Sequence, residues 1–351
     1  MAAYTVVAKP SAHFDTPIWA GSGSTTTITG MGFQPDILWI KNYDGTGHPR
    51  LNDSSKGIGF NWVPSGNNAN DTTNYVASYT SDGFTLTGGG TDTNEASENY
   101  MAACWKANAG TTSSNTSGTI TSTVQANTTA GISVVTYTGS GAAATIGHGL
   151  GVPPKIIICK NTALADRGTT LNMSKNFVTD PETDNMQFAA NAATIDDAAT
   201  KWNDTAPTST VFSIGSSNMV SGSGQAHVAY CFAEVQGFSK FGYYAGNANA
   251  SKGAFVYCGF RPKWLMVKSA IAENWAVKMT GLTYGLGGEM KRTIKLDDNT
   301  SSTNCTINVT STGFELATTD GKANTENGVY FYMAFADMPV VGTNGTIALA
   351  V

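Results

Sequence analysis

A ten-residue phrase recurs three times along this chain, and that recurrence limits the fold more than any other feature. It reads Gly32-Phe33-Gln34-Pro35-Asp36-Ile37-Leu38-Trp39-Ile40-Lys41, then Gly151-Val152-Pro153-Pro154-Lys155-Ile156-Ile157-Ile158-Cys159-Lys160, then Gly259-Phe260-Arg261-Pro262-Lys263-Trp264-Leu265-Met266-Val267-Lys268. Each is a turn, a proline and an apolar run ending in lysine. Proline has no N–H to give a ladder, so it suits the entrance of a strand. A second phrase closes each copy: Tyr100-Met101-Ala102-Ala103-Cys104-Trp105, His227-Val228-Ala229-Tyr230-Cys231-Phe232 and Tyr330-Phe331-Tyr332-Met333-Ala334-Phe335. A third precedes it: Gly83-Phe84-Thr85-Leu86, Val211-Phe212-Ser213-Ile214 and Gly313-Phe314-Glu315-Leu316. Phe84 to Trp105 spans 21 positions, Phe212 to Phe232 spans 20, and Phe314 to Phe335 spans 21. That constancy, across loops 88–98, 215–225 and 317–327, reads as a β-hairpin. A fourth phrase opens each copy: Ile18-Trp19-Ala20-Gly21, Val135-Thr136-Tyr137-Thr138-Gly139 and Tyr243-Tyr244-Ala245-Gly246. The stretch after the proline strand varies in length and content, as expected where loops carry the differences.

Composition agrees with strands. Only 13 % of residues are charged, and 39 of 351 are glycine. Thr, Val, Tyr and Phe favour strands, while Gly, Asn and Ser favour turns. A coiled coil, a helical repeat and a charged disordered tail are excluded. The expected fold is all-β: three tandem β-sandwich modules, for which jelly-roll and immunoglobulin-like arrangements both fit. The modules are expected at 1–108, 131–238 and 239–351, with a flexible or extended Ser/Thr/Gly/Asn linker over 109–130. A short helical turn is expected around Ala192 to Trp202. The aromatic join Gly237-Phe238-Ser239-Lys240-Phe241-Gly242-Tyr243-Tyr244 predicts tight packing of the second and third modules. The apolar, uncharged tail 341–351 predicts a terminal strand that pairs with something, another subunit being one candidate.

The residues carry little sign of chemistry. Net charge is −5, and the 20 Lys and Arg are scattered. The densest group, Lys291, Arg292 and Lys295, reads as a solvated face, so no nucleic-acid partner is expected. No run reaches the length of a membrane span, and Met1 to Pro10 does not read as a secretory signal, so synthesis in a cytosol is expected. Cys104, Cys159, Cys231, Cys258 and Cys305 are odd in number and lack metal or redox spacing, so they read as buried thiols. His13, His48, His148 and His227 are far apart. Gly88-Gly89-Gly90 and Gly285-Leu286-Gly287-Gly288 lack the strand–loop–helix setting of a phosphate site. Gly21-Ser22-Gly23 and Gly139-Ser140-Gly141 lack the helix of a nucleophile elbow. No enzyme activity, cofactor or metal is therefore expected. The positive feature is a set of loop aromatics among polar neighbours: Tyr43, Trp62, Tyr75, Trp202, Trp275 and Tyr284. Such rings suit sugar binding; the competing reading is that they cap the ends of the sandwiches.

The stretches Pro10-Ser11-Ala12-His13-Phe14-Asp15-Thr16, Ile28-Thr29-Gly30-Met31-Gly32-Phe33-Gln34-Pro35-Asp36, Gly147-His148-Gly149-Leu150-Gly151-Val152-Pro153-Pro154-Lys155 and Phe255-Val256-Tyr257-Cys258-Gly259-Phe260-Arg261-Pro262 together resemble a repeat domain of unassigned function. That domain is found in virion structural and tail-fibre-like proteins of tailed, mainly marine, bacteriophages. The resemblance covers about residues 10 to 340 and brings no catalytic residues. It implies a virion protein on the particle surface, made in the host cytoplasm, in a tail fibre or appendage that adsorbs to host-surface glycan. Other virion proteins and a homotrimer are the implied partners. A capsid decoration or cement protein is the alternative.

Overall fold

The computed structural model describes residues 5–64, 66, 71–165, 168–172, 180–188, 193, 195–196, 198–282, 289–295 and 303–337. The chain is all-β, with 43 % strand and 4 % helix. Every strand pairing between the described strands is antiparallel.

The repeated phrases become repeated pairings. In the first segment the closing strand Asn99–Trp105 lies between the opening strand Ile18–Ala20 and the proline strand Ile37–Asn42, which continues to Arg50–Asp53. In the second, Ala226–Phe232 lies between Ile132–Thr138 and Ile156–Asn161, followed by Thr169–Asn172. In the third, Val329–Ala336 lies between Ser239–Ala245 and Pro262–Ser269, followed by Ala276–Met279. Register is conserved too: Ile37 faces Trp105, Ile156 faces Phe232, and Trp264 faces Phe335.

The third phrase does not form a hairpin with the closing strand. Gly83–Leu86 pairs with Thr26–Ile28, Val211–Ile214 with Ala144–Gly147, and Gly313–Leu316 with Phe255–Tyr257. The constant spacing measures a crossing between strands that do not pair with each other. One ring at the start of each closing strand holds that crossing. Tyr100 Oη accepts from Glu95 N and donates to Thr91 O, both at 2.9 Å. Tyr330 Oη accepts from Thr325 N and donates to Gly321 O, both at 2.8 Å. In the second segment His227 takes this place, its Nε2 accepting from Gly222 N at 3.3 Å. Each of these rings stacks on an opening-strand aromatic: Trp19 on Tyr100, Tyr137 on His227, Tyr244 on Tyr330.

The segment expected as a flexible or extended linker contains two strands. Ser113–Asn115 pairs with Ser122–Asn127, which pairs in turn with the opening strand Ile132–Thr138. Alternating Val124 and Gln125 are both buried, which a solvated linker would not allow. A 3-10 turn at Ala198–Thr200 falls inside the predicted helical stretch, and a one-turn α-helix at Asn218–Ser221 lies outside it. The tail 341–351 lies outside the described residues.

Strands buried on one face alternate in polarity; these do not, because both faces are covered. All six residues of Ile37–Asn42 and of Ile156–Asn161 are buried. Leu38 and Ile40, Ile157 and Cys159, and Leu265 and Val267 point into three separate cores. Their neighbours Ile37, Trp39, Ile156, Ile158, Trp264 and Met266 point into one core common to all three segments.

Candidate functional site

The common core is where the chain's functional candidates must first be placed. Trp105, Phe232 and Phe335 occupy the same position in the three closing strands. Their rings touch one another with centroids 6.0, 5.6 and 6.2 Å apart. Phe14, Phe238, Phe241 and Trp264 also pack on Phe335. The aromatic join therefore does pack the second segment against the third. Further along the core, Phe188 of the second segment sits against Trp39 and Trp62 of the first and Trp275 of the third, at 5.1, 5.1 and 5.5 Å. A void of about 10 Å³ remains among these side chains, with a wholly apolar lining. That volume suits at most one water.

This geometry moves the predicted sugar-facing aromatics. Trp62 and Trp275 are fully buried in the common core, and Trp202 is fully buried in the second segment's own core. Their ring faces are covered by protein and cannot meet a sugar. They fill volume inside the cores, which is where large rings gain most from leaving water. Tyr75 is half-buried, with the Arg50 guanidinium 4.4 Å above its ring and donating to its hydroxyl at 3.1 Å. Tyr43 is half-buried against the common core, and Arg292 lies 5.1 Å over it. Tyr284 lies outside the described residues.

Buried polar groups bind the chain to itself. The lysine that ends each proline strand is buried, and its ammonium donates to a carbonyl of the following loop. The pairs are Lys41 with Gly47, Lys160 with Leu164 and Lys268 with Glu273, at 2.6–2.7 Å. Arg50 pairs with Asp71 and Asp92, each at 2.5 Å. Asp36 accepts from the backbone of Ala107, Ala109 and Gly110, each at 2.8 Å, and so anchors the exit of the first segment. Asp53, wholly buried, accepts from Tyr230 of the second segment at 2.7 Å. Burial pushes its carboxyl up to about 6, against the pull of the Tyr230 and Lys56 hydrogen bonds. Burial also lowers Lys278 to about 8, where it donates to Met290 O and Cys305 O. His148 is held below its ordinary value by burial, with Leu150 N donating to its Nδ1. All five cysteines are buried and form no disulfide, and burial pushes the Cys104, Cys231, Cys258 and Cys305 thiols up. Among the described residues no three His, Cys, Asp or Glu side chains converge as a metal site. No described helix is long and apolar enough to cross a membrane.

One open site was not legible as such. A cleft of about 400 Å³ is lined by Glu234, Gln236, Ser239 and Lys240 of the join and by Tyr257, Cys258 and Gly259 of the third segment. Tyr257 is 62 % exposed, on a three-residue strand whose neighbours alternate outward, inward, outward. Glu234 is fixed: its carboxylate accepts from Phe241 N at 2.7 Å and pairs with Lys155 and Lys240. Ser239 Oγ, accepting from Val235 N at 3.0 Å, holds the turn that carries Gln236. The available signal was Phe255-Val256-Tyr257 itself, an apolar strand too short to bury both faces.

No curated protein and no solved structure matches the chain. A family model covers nearly its whole length, residues 9–339, and so spans all three repeated segments. By that match the chain belongs to the family described as a domain of unknown function, DUF7483.

Proposed function

We propose that the chain is three β-sandwich modules closed on one another as a rigid body, and that this body is a structural protein on the surface of a phage particle. It stands in a tail fibre or appendage and meets host-surface glycan. The observation that carries this reading is the common core. Equivalent side chains of all three segments bury one another, so the apolar sheet faces are consumed inside a single chain. What remains outward is loops and strand edges, the parts of a β-scaffold that carry recognition. Buried ionisable groups such as Asp36, Arg50 and Lys41 hold loops and chain crossings, which fits a scaffold. The motif resemblance to phage tail-fibre-like repeats supports the setting. Other virion proteins are the partners. Further copies, as in a homotrimer, would join through these outer surfaces, because the closure a trimer makes between chains is already made within one.

Cryo-electron microscopy of intact particles, with copy number per virion, tests this. Density for this body at the tail in a few dozen copies or fewer is the expected result. Several hundred copies on the shell would make it a decoration protein instead.

A further inference from the structure

We propose that the cleft between the join and the third segment is a binding site for a pyranose sugar bearing a carboxylate. It rests on the adsorption reading above and names where and what that surface binds.

Three features of the cleft select this chemistry. The first is the exposed Tyr257 ring at its edge. An aromatic face left in water is most readily covered by a flat apolar surface such as the C–H face of a pyranose. Of the loop aromatics read from the sequence, Trp62, Trp202 and Trp275 are covered by protein, while Tyr75 and Tyr43 lie beneath arginines; Phe255 and Tyr243 are exposed but do not line the cleft. The Tyr257 ring lines an open cleft instead.

The second feature is a surplus of donors. Among the described residues Glu234 is the only carboxylate lining the cleft. Its oxygens already receive Phe241 N, the Lys155 ammonium at 2.9 Å and the Lys240 ammonium at 3.4 Å. A carboxylate has about four lone-pair sites, so little acceptor capacity is left there. Among the described lining residues Lys240 balances Glu234, and Lys155, which reaches the same carboxylate from outside the lining, brings a second ammonium beside the cleft. Lys240 remains 42 % exposed at its side chain and carries three N–H donors. The exposed Gln236 amide adds two more donors. Such a site prefers an acceptor-rich anionic ligand to a neutral one.

The third feature is preorganisation. Glu234 and Ser239 hold the backbone from Val235 to Phe241 by side-chain hydrogen bonds. The backbone N–H groups of Cys258 and Gly259 both donate to Thr312 O, at 2.8 and 2.9 Å. Walls fixed before the ligand arrives need little ordering on binding. The volume, about 400 Å³, lies in the range of small-molecule sites.

The test uses the full chain and a matched pair of probes, methyl β-glucuronide and methyl β-glucoside, which differ at one carbon. Saturation-transfer NMR and amide shift titration give their affinities. Saturable binding of both is expected, tighter for the glucuronide, with shifts at residues 234–240 and 257–259. Tyr257→Ala is expected to weaken both sugars by about tenfold, the size of one stacked ring contact. Lys240→Gln is expected to remove the preference for the acid and leave the glucoside unchanged. If Tyr257→Ala fails to fold, Gln236→Ala, on an exposed turn, serves instead with the same shift map. No saturable binding of either probe, or binding undiminished in the folded variants, would overturn the site. Equal affinity for the two sugars would overturn the acidic ligand. Either failure is separate from the particle reading, which stands or falls on where the body sits on the virion.

Discussion

The core shared by the three segments holds five of the seven tryptophans, and the cores inside the segments hold all five cysteines. Trp39, Trp62, Trp105, Trp264 and Trp275 lie in the shared core, which contains no cysteine. Cys104, Cys159, Cys231, Cys258 and Cys305 all lie in the separate cores. Two sheets of one sandwich stand about 10 Å apart, and small side chains let them mesh. In the shared core, rings from three closing strands, Trp105, Phe232 and Phe335, meet with centroids 5.6–6.2 Å apart. The difference has a cost. The indole N–H groups of Trp39, Trp62, Trp105, Trp264 and Trp275 are buried with no hydrogen-bond partner among the described residues. Each unpaired N–H costs about 1–3 kcal/mol. Burying roughly 200 Å² of ring surface at about 25 cal/mol per Å² contributes about 5 kcal/mol, so filling the space wins.

The largest way to break this contrast is Phe335→Ala. The ring touches Phe14 and Trp105 of the first segment, Phe232 of the second and Phe241 of the third. Its loss is expected to destabilise the chain by about 3–5 kcal/mol. Phe314→Ala, in the third segment's own core, removes the same atoms. The two should differ in reach. Hydrogen exchange should quicken in all three closing strands for Phe335→Ala, and mainly in the third segment for Phe314→Ala. If strands 99–105 and 226–232 kept wild-type protection in Phe335→Ala, the core would not be a shared one energetically.

Gly168→Ala probes the same core from the backbone. Gly168 has φ +71°, and a Cβ there would stand 2.7 Å from the Trp62 ring and 2.9 Å from Cys159 O. One methyl thus strains the backbone and presses on an indole that cannot move away from Phe188. A loss of about 1–3 kcal/mol is expected in urea unfolding. Gly151→Ala shares a positive φ of 76° but has nothing within 4 Å of its Cβ. It should cost less, and equal costs would mean that the Trp62 contact contributes nothing.

Asp53 sharpens the comparison by charge, since it brings a carboxylate into the boundary between first and second segments. Its folded value near 6 lies above its ordinary 3.8. The protonated form is therefore favoured by folding. Its contribution to stability is complete below about pH 3.8 and is lost as pH rises through 6. The shift corresponds to a loss of about 2–3 kcal/mol between those values. Asp53→Asn should flatten that part of the stability–pH curve, while also losing one of the hydrogen bonds from Tyr230 Oη and Lys56 N. An unchanged slope in the variant would show that another group titrates there.

Much of this frame was legible because a repeat exposes its own rules. The proline strands, the closing strands and the all-β class follow from phrases that recur with fixed residues at fixed places. The shared core was harder to see. A strand buried on both faces reads as a continuous apolar run, and nothing local says whether its second face meets another segment or another chain. The same limit misplaced Trp62 and Trp275: polar neighbours in sequence made them look like loop rings, whereas Phe188, more than a hundred positions from Trp62, covers one of them. The strands within the linker were hard to read for a related reason. Ser113-Ser114-Asn115 carries weak strand propensity, and Ser122-Thr123-Val124 follows directly on a run of turn formers. They are strand because the edge of Ile132–Thr138 offers hydrogen bonds to Ser122–Asn127, whose own free edge then offers them to Ser113–Asn115.

The smallest effect should come from the rim, where the first and third segments also meet through exposed charges. Arg292 pairs with Asp44 at 2.5 Å, and Lys263 pairs with Asp15 at 2.6 Å, all four side chains being 21–31 % exposed. Such pairs lose side-chain freedom and are screened by salt, so each contributes about 0–1 kcal/mol. Asp44→Asn should shift the urea midpoint slightly at low salt and not at 1 M salt. A salt-independent loss above about 2 kcal/mol would mean that the Arg292 and Tyr43 stack, packed on the shared core, depends on this carboxylate. On the expected result, charge at the rim sets little, and the contact between segments is held by the rings within.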